Sequence, residues 1–286
     1  MKILTIGNSF ANNPTVYLDQ LIAQYPTIEL ILGKANSGGC SLEKHWNLVG
    51  QCDLLKDVKP YNFTVTGKIP RPATLAEALA SEPWDYITRQ RASILSWKPE
   101  TFFPFIDHLH GLITKLAPQA QPIIHQTWAY RIDATIFDHP EIDQAHMYSC
   151  LCQAYNDAAK KLNCRQIPSG AAFQNARKRL NYLPDPNYDF AHPTPLELRD
   201  QKASLNIGYR WQTGNTPSGK AELGIDFKHA NEKGCYVANA VWFEMFTGKS
   251  MFENSFCPAG VSKEERSILM HAAHEAVMEY GGPLDG

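Results

Sequence analysis

The sequence predicts an α/β protein: a three-layer α/β/α sandwich on a mostly parallel five-stranded sheet. Three observations lead there. Apolar runs of strand length recur at 3–6, 28–32, 85–89, 122–126 and 165–167. Stretches with helical apolar spacing separate them, as parallel βαβ units require and hairpins do not. The 286 residues, 44% of them hydrophobic, suffice for one large domain with a core on both faces of the sheet.

In chain order, the buried run Ile3 to Ile6 leads into the polar loop Gly7-Asn8-Ser9. Asn13-Pro14 then opens an apolar-periodic helix through Val16, Leu18, Leu21 and Ile22, because proline is preorganised for a first helical turn. The second strand, 28–32, is followed by the turn-forming Asn36-Ser37-Gly38-Gly39 and a helix over 41–55 with Ser41 as its N-cap. Residues 56–73 interrupt this rhythm. Within them, 61–69 alternates like a short hairpin that Pro70 and Pro72 close, so the segment reads as an insertion.

Helices over 75–80, 100–116, 141–162 and 171–180 alternate with the last three strands. Residues 181–225 are rich in Pro, Asn and Gly and are expected to form long ordered loops that shape a substrate cleft. Helices over 231–247 and 263–280 close the chain. In such a sheet, ligands sit beyond the carboxyl ends of the strands.

Composition narrows the function classes. A net charge of -2 lacks the basic excess of a nucleic-acid partner. No apolar run approaches the roughly 18 residues of a membrane span; the longest, 236–243, is interrupted by Asn239. The seven cysteines are odd in number and form no C-x-x-C, which suits reduced thiols in the cytoplasm. A secreted or periplasmic chain whose leader was removed is the alternative.

Cofactor and metal signals fail on inspection. Residues 214–221 match G-x-x-x-x-G-K, but Ala221 stands where a hydroxyl must meet magnesium. His271, His274 and Glu275 follow neither zinc-binding order, and His108 and His110 diverge on a helix. No cofactor and no metal are expected. G-x-S-x-G is missing as well, which argues against the usual α/β-hydrolase elbow.

Three features together carry chemistry. Ser9 follows the first strand, where its hydroxyl meets the cleft; alone, it reads as an ordinary strand-to-loop serine. Asp226 and His229 precede the helix at 231–247 and supply the base that a serine needs and the carboxylate that holds the base's tautomer. In isolation they read as a surface ion pair or a cap. Gly38-Gly39 after the second strand, and Gln90 with Ser93 after the third, lie at the same sheet edge and suit an oxyanion hole; a plain turn and a polar strand end are the alternatives.

In this order along the chain, Gly7-Asn8-Ser9-Phe10, Gly38-Gly39 and Asp226-x-x-His229 resemble blocks I, II and V of the SGNH (GDSL-like) hydrolases. The stretches 39–46, 125–131 and 229–236 further resemble a bacterial SGNH-like subgroup. The resemblance implies a flavodoxin-like sheet, Ser9 as nucleophile, His229 as base, Asp226 as its partner, and the N–H groups of Ser9 and Gly39 as oxyanion donors. Block III departs: its G-x-N-D is replaced by Thr88-Arg89-Gln90-Arg91-Ala92-Ser93. Gln90 is the expected substitute because it keeps an amide donor, with Ser93 or Arg91 as alternatives.

Trp128, Tyr130 and Arg131 follow the fourth strand and are expected to bind substrate, an aromatic face stacking on a sugar and the arginine holding a carboxylate; core packing and salt bridging are the alternatives. The expected function is hydrolysis of a carboxylic ester through an acyl-enzyme on Ser9. By family analogy, the substrate is a small molecule or glycan bearing an O-acyl (acetyl) ester. Two alternatives stand beside it: a catalytically silent glycan-binding protein of the same fold, and a lipid or thioester hydrolase.

Overall fold

Parallel pairing of short buried strands organises the molecule. The computed structural model describes residues 1–55, 57–189, 192–198, 200–213 and 219–284. Its first half contains β1 (Lys2–Gly7), α1 (Ser9–Asn12), α2 (Leu18–Ile22), β2 (Ile31–Asn36), α3 (Leu42–Leu54), β3 (Tyr61–Val65), β4 (Arg71–Ala73), α4 (Leu75–Leu79) and β5 (Tyr86–Arg89). There follow α5 (Phe105–Leu116), β6 (Gln121–His125), α6 (Gln144–Leu162), β7 (Gln166–Ile167), α7 (Ser169–Leu180), β8 (Asn206–Gln212), β9 (Glu222–Ala230), α8 (Glu232–Thr247) and α9 (Lys263–Glu279).

The sheet runs β4-β3-β2-β1-β5-β6-β7. The five strands from β2 to β7 are parallel, and the chain winds outward from β1 in both directions. That reversal opens a crevice at the carboxyl ends of β1 and β5, where Ser9 and Gln90 emerge.

The sheet has seven strands rather than five, because the segment 56–73 joins it. Tyr61, Phe63 and Val65 alternate inward, so β3 pairs antiparallel with β2 and β4 with β3. Pro72 sits on the outer strand, where its missing N–H breaks no ladder. β2 lies later than the apolar run at 28–32, and its Gly33, Lys34 and Asn36 hide it from a hydrophobicity reading. The first predicted helix divides into α1, a 3-10 turn at Asn13–Thr15 and α2.

The segment 181–225 is not all loop: β8 and the first part of β9 form a separate antiparallel pair. Residues 214–218, in the phosphate-loop-like stretch, lie outside the described residues.

Two cores flank the sheet, one between it and α7, α8 and α9, the other against α3, α4, α5 and α6. From Lys233 to Phe246 α8 is buried throughout, as a helix apolar on most faces must be. Its one deeply buried amide is satisfied: Asn239 Nδ2 donates to Asn13 O (2.8 Å) and Cys235 O (2.7 Å), and Oδ1 accepts from Tyr17 N (3.0 Å). These bonds join α8 to the segment that follows Ser9. Among the described residues, no helix is long and apolar enough to cross a membrane.

Candidate active site

Ser9 is the first residue of α1, and the preceding residue holds it there. Asn8 is the N-cap: its Oδ1 accepts from Phe10 N at 3.0 Å, and its Nδ2 donates to Cys40 O at 3.0 Å. Ser37 N also donates to Gly7 O (2.9 Å). The loop after β2 is thereby pinned beside the loop after β1. Within it, Gly39 has φ of 62°, a left-handed conformation that glycine adopts without a Cβ clash. Among the described residues, the N–H groups of Ser9 and Gly39 have no hydrogen-bond acceptor.

Asp226 and His229 lie near the end of β9, not on a helical turn. In a regular strand, residues three apart point to opposite faces. Here the register slips: Gly208 opposes Asp226 while Asn206 opposes Ala230, so three residues of β9 bulge against one of β8. Asp226 Oδ1 gathers the bulge by accepting from Lys228 N (3.1 Å) and His229 N (3.0 Å). Gly208 is required opposite, since a Cβ there would lie 1.8 Å from Arg131 Nη1.

The bulge brings both side chains to one side. Asp226 Oδ2 is 2.8 Å from His229 Nδ1, and His229 Nε2 is 2.7 Å from Ser9 Oγ. Burial resists ionisation of Asp226, but the His229 ring and the N–H groups of His229 and Lys228 outweigh it and hold the carboxyl well below the usual carboxylate range. An ionised carboxylate only accepts, so Nδ1 carries the proton and Nε2 presents its lone pair to the serine hydroxyl.

Gln90 is brought to this loop but not presented to the cleft. It is 1% exposed, and its Nε2 donates to Asn8 Oδ1 at 2.7 Å. Its Oε1 accepts from His125 Nδ1 (3.1 Å), whose Nε2 faces Ser169 Oγ (3.1 Å). Burial lowers His125 to about 3, so it stays neutral. The expected direct donor is therefore a support for Asn8. Ser93 and Arg91 are occupied too, Ser93 Oγ with the Tyr130 hydroxyl (3.1 Å) and Arg91 Nε with Thr101 Oγ1 (3.1 Å). Asn8, His125 and Ser169 were missed by sequence reasoning. For Asn8 the signal was available, as an Asn directly before a short helix is a capping pattern.

Trp128, Tyr130 and Arg131 do not face the cleft either; all three are buried. Trp128 stacks between Phe10 (4.6 Å) and Phe173 (4.4 Å), and its Nε1 donates to Lys228 O at 2.9 Å. It therefore braces the neighbours of both Ser9 and His229. Arg131 spends its guanidinium on Asp133, Nε to Oδ1 (2.6 Å) and Nη2 to Oδ2 (2.8 Å), and on Gln201 Oε1 (2.7 Å). Trp128→Ala is expected to cost about 3–5 kcal/mol, as loss of a fully buried aromatic does. Denaturant unfolding measures this, and a cost below about 1 kcal/mol would contradict the core placement.

The arrangement resembles known proteins in fold. The DUF4886 family, described as a domain of unknown function, matches residues 2–192, a span that includes Ser9, Gly39 and Gln90 but not Asp226 or His229. A crystal structure of a DUF4886 family protein from Bacteroides uniformis is 29% identical, covering 97% of this chain and 95% of that one with a TM-score of 0.74. A protein from Slackia heliotrinireducens, suggested to be an SGNH hydrolase, is 20% identical, covering 85% of this chain and 97% of that one with a TM-score of 0.50. The α/β fold is thus SGNH-hydrolase-like. No curated protein matches the sequence significantly. With two thirds of its length matched by the family, the chain belongs to DUF4886.

Proposed function

We propose that the protein is a serine esterase that hydrolyses a small O-acyl ester, with an acetylated carbohydrate as the substrate class. One observation carries the reading: the unbroken hydrogen-bonded path from Ser9 Oγ through His229 to Asp226, at 2.7 and 2.8 Å. His229 Nε2 takes the serine proton as Oγ attacks the ester carbonyl, and Asp226 stabilises the imidazolium. The N–H groups of Ser9 and Gly39 receive the oxyanion. Collapse expels the alcohol, which takes its proton from His229. Water then attacks the acyl-enzyme with His229 again as base, releasing the carboxylic acid and Ser9.

Gln90 acts at one remove in this scheme, holding Asn8 and hence both donor loops. The carbohydrate part rests on resemblance to the SGNH hydrolases. Hydrolysis of p-nitrophenyl acetate, followed by acetate release from peracetylated sugars, tests the reading. Turnover of both is expected. Sugar binding without turnover of either would favour the silent glycan-binding protein, and turnover of long acyl chains alone would favour the lipid hydrolase.

A further inference from the structure

α7 packs so closely on the end of β6 that a Cβ at Gly170 would lie 2.1 Å from Thr127 O, and Ala171 N donates to Gln126 Oε1 at 3.0 Å. Three residues of this helix spaced by four, Ser169, Phe173 and Arg177, form one stripe along its face. Each begins a chain of contacts that ends at the triad.

The chain from Ser169 ends at the nucleophile. Asn8 Oδ1 accepts from Phe10 N, and Gln90 offers it Nε2, so Gln90 Oε1 is left to find a donor. His125 Nδ1–H supplies it, which makes His125 Nε2 the acceptor for the Ser169 hydroxyl. The chain from Arg177 ends at the base. A guanidinium only donates, so the Asn206 amide turns its Oδ1 to Arg177 Nη2 (3.0 Å) and its Nδ2 to Lys228 O (3.0 Å), in the bulge directly before His229. Arg177 Nη2 also donates to Ala129 O (2.8 Å), and the guanidinium lies over the Phe173 ring (5.5 Å). Between the two chains, Phe173 stacks on Trp128, which touches Phe10 on one side and bonds Lys228 O on the other.

Ser9 and His229 come from loops 220 residues apart, and α7 is bonded to the supports of both. We propose that this stripe of α7 sets the Ser9–His229 distance, with Ser169 and Arg177 as positioning residues that act through Gln90 and Asn206. Its consequence for turnover rests on the esterase reading. A displacement of about 1 Å between such groups is worth roughly 10²-fold in rate.

Asn206→Asp separates positioning from packing. The carboxylate is nearly isosteric and still accepts from Arg177, but it has no proton for Lys228 O. On p-nitrophenyl acetate, kcat should fall about 10²-fold with KM little changed, while Tm stays within a few degrees of the wild type. Ser169→Ala, which leaves His125 Nε2 without its donor, should lower kcat about tenfold in the same pattern. A readout independent of turnover is the far-downfield ¹H resonance of His229 Nδ1–H, identified by its loss in His229→Ala. It should shift in Asn206→Asp even if the wild-type protein hydrolyses no ester, a result that would sink the esterase reading and leave the role of α7 standing. Wild-type kcat or an unmoved resonance in Asn206→Asp would overturn the proposal, as would a loss of kcat that only follows a loss of Tm. An unchanged kcat in Ser169→Ala would overturn the part assigned to Ser169.

Discussion

Ser9→Ala is expected to lower kcat on a small ester by about 10⁴-fold or more, the scale of losing a nucleophile that works as a unit with its base. The fold should not change. Ser9 is partly exposed, and among the described residues its hydroxyl bonds only His229, while Asn8 caps α1 and holds the Cys40 loop without it. Tm should therefore stay near the wild-type value while turnover collapses. A variant that keeps a tenth of the activity would show that another residue is the nucleophile.

Asp226→Asn should cost about 10⁴-fold in kcat, through the tautomer of the base. Asparagine can keep its Oδ1 on the N–H groups of Lys228 and His229, the bonds that shape the bulge. Its amide nitrogen then faces His229 Nδ1 as a donor. The ring must accept there, which puts its proton on Nε2 and leaves no lone pair for Ser9. Adding Asp226→Asn to Ser9→Ala should therefore cost almost nothing more. Additive losses would mean that the two residues act separately.

The pH dependence of this pair has a definite sign. The folded-state pKa of Asp226 is depressed, so its stabilising contribution is fully present above the ordinary carboxylate value near 3.9 and is lost only as pH falls further, through the folded value. Any loss of activity on acidification above about pH 4 then belongs to another group. Asp226→Asn should lower stability by a constant amount above about pH 4 and leave the slope of stability against pH unchanged there, which denaturant unfolding at several pH values checks.

The parallel sheet was legible because strands buried on both faces are continuous apolar runs, as in Ile3 to Ile6. β2 was placed too early, at 28–32 instead of Ile31–Asn36, because Gly33, Lys34 and Asn36 break that signature. β8 and β9 were read as loop for a related reason. They form a two-stranded ribbon outside the main sheet, with residues 222–229 only half-buried, so neither face imposes an apolar pattern.

Ser9, Asp226 and His229 were nonetheless recognisable by residue type and order, though their spacing of three gave no sign of the bulged strand that brings the last two together. Gln90 was placed in the right loop, but it is buried and bonds Asn8 instead of facing the cleft. Its burial and its bond to Asn8 depend on β1 and β5 lying side by side, a contact 82 residues apart that no local pattern encodes. Trp128 and Arg131 follow a strand at the cleft edge, yet apolar stacking and the neighbouring Asp133 draw both inward.

The most direct test of the central claim is to treat the protein with a fluorophosphonate and locate the adduct by peptide mass spectrometry. A phosphonylated Ser9, with labelling slowed strongly in His229→Ala, is the predicted result. An adduct on any other serine, or labelling of Ser9 at an unchanged rate without His229, would contradict it.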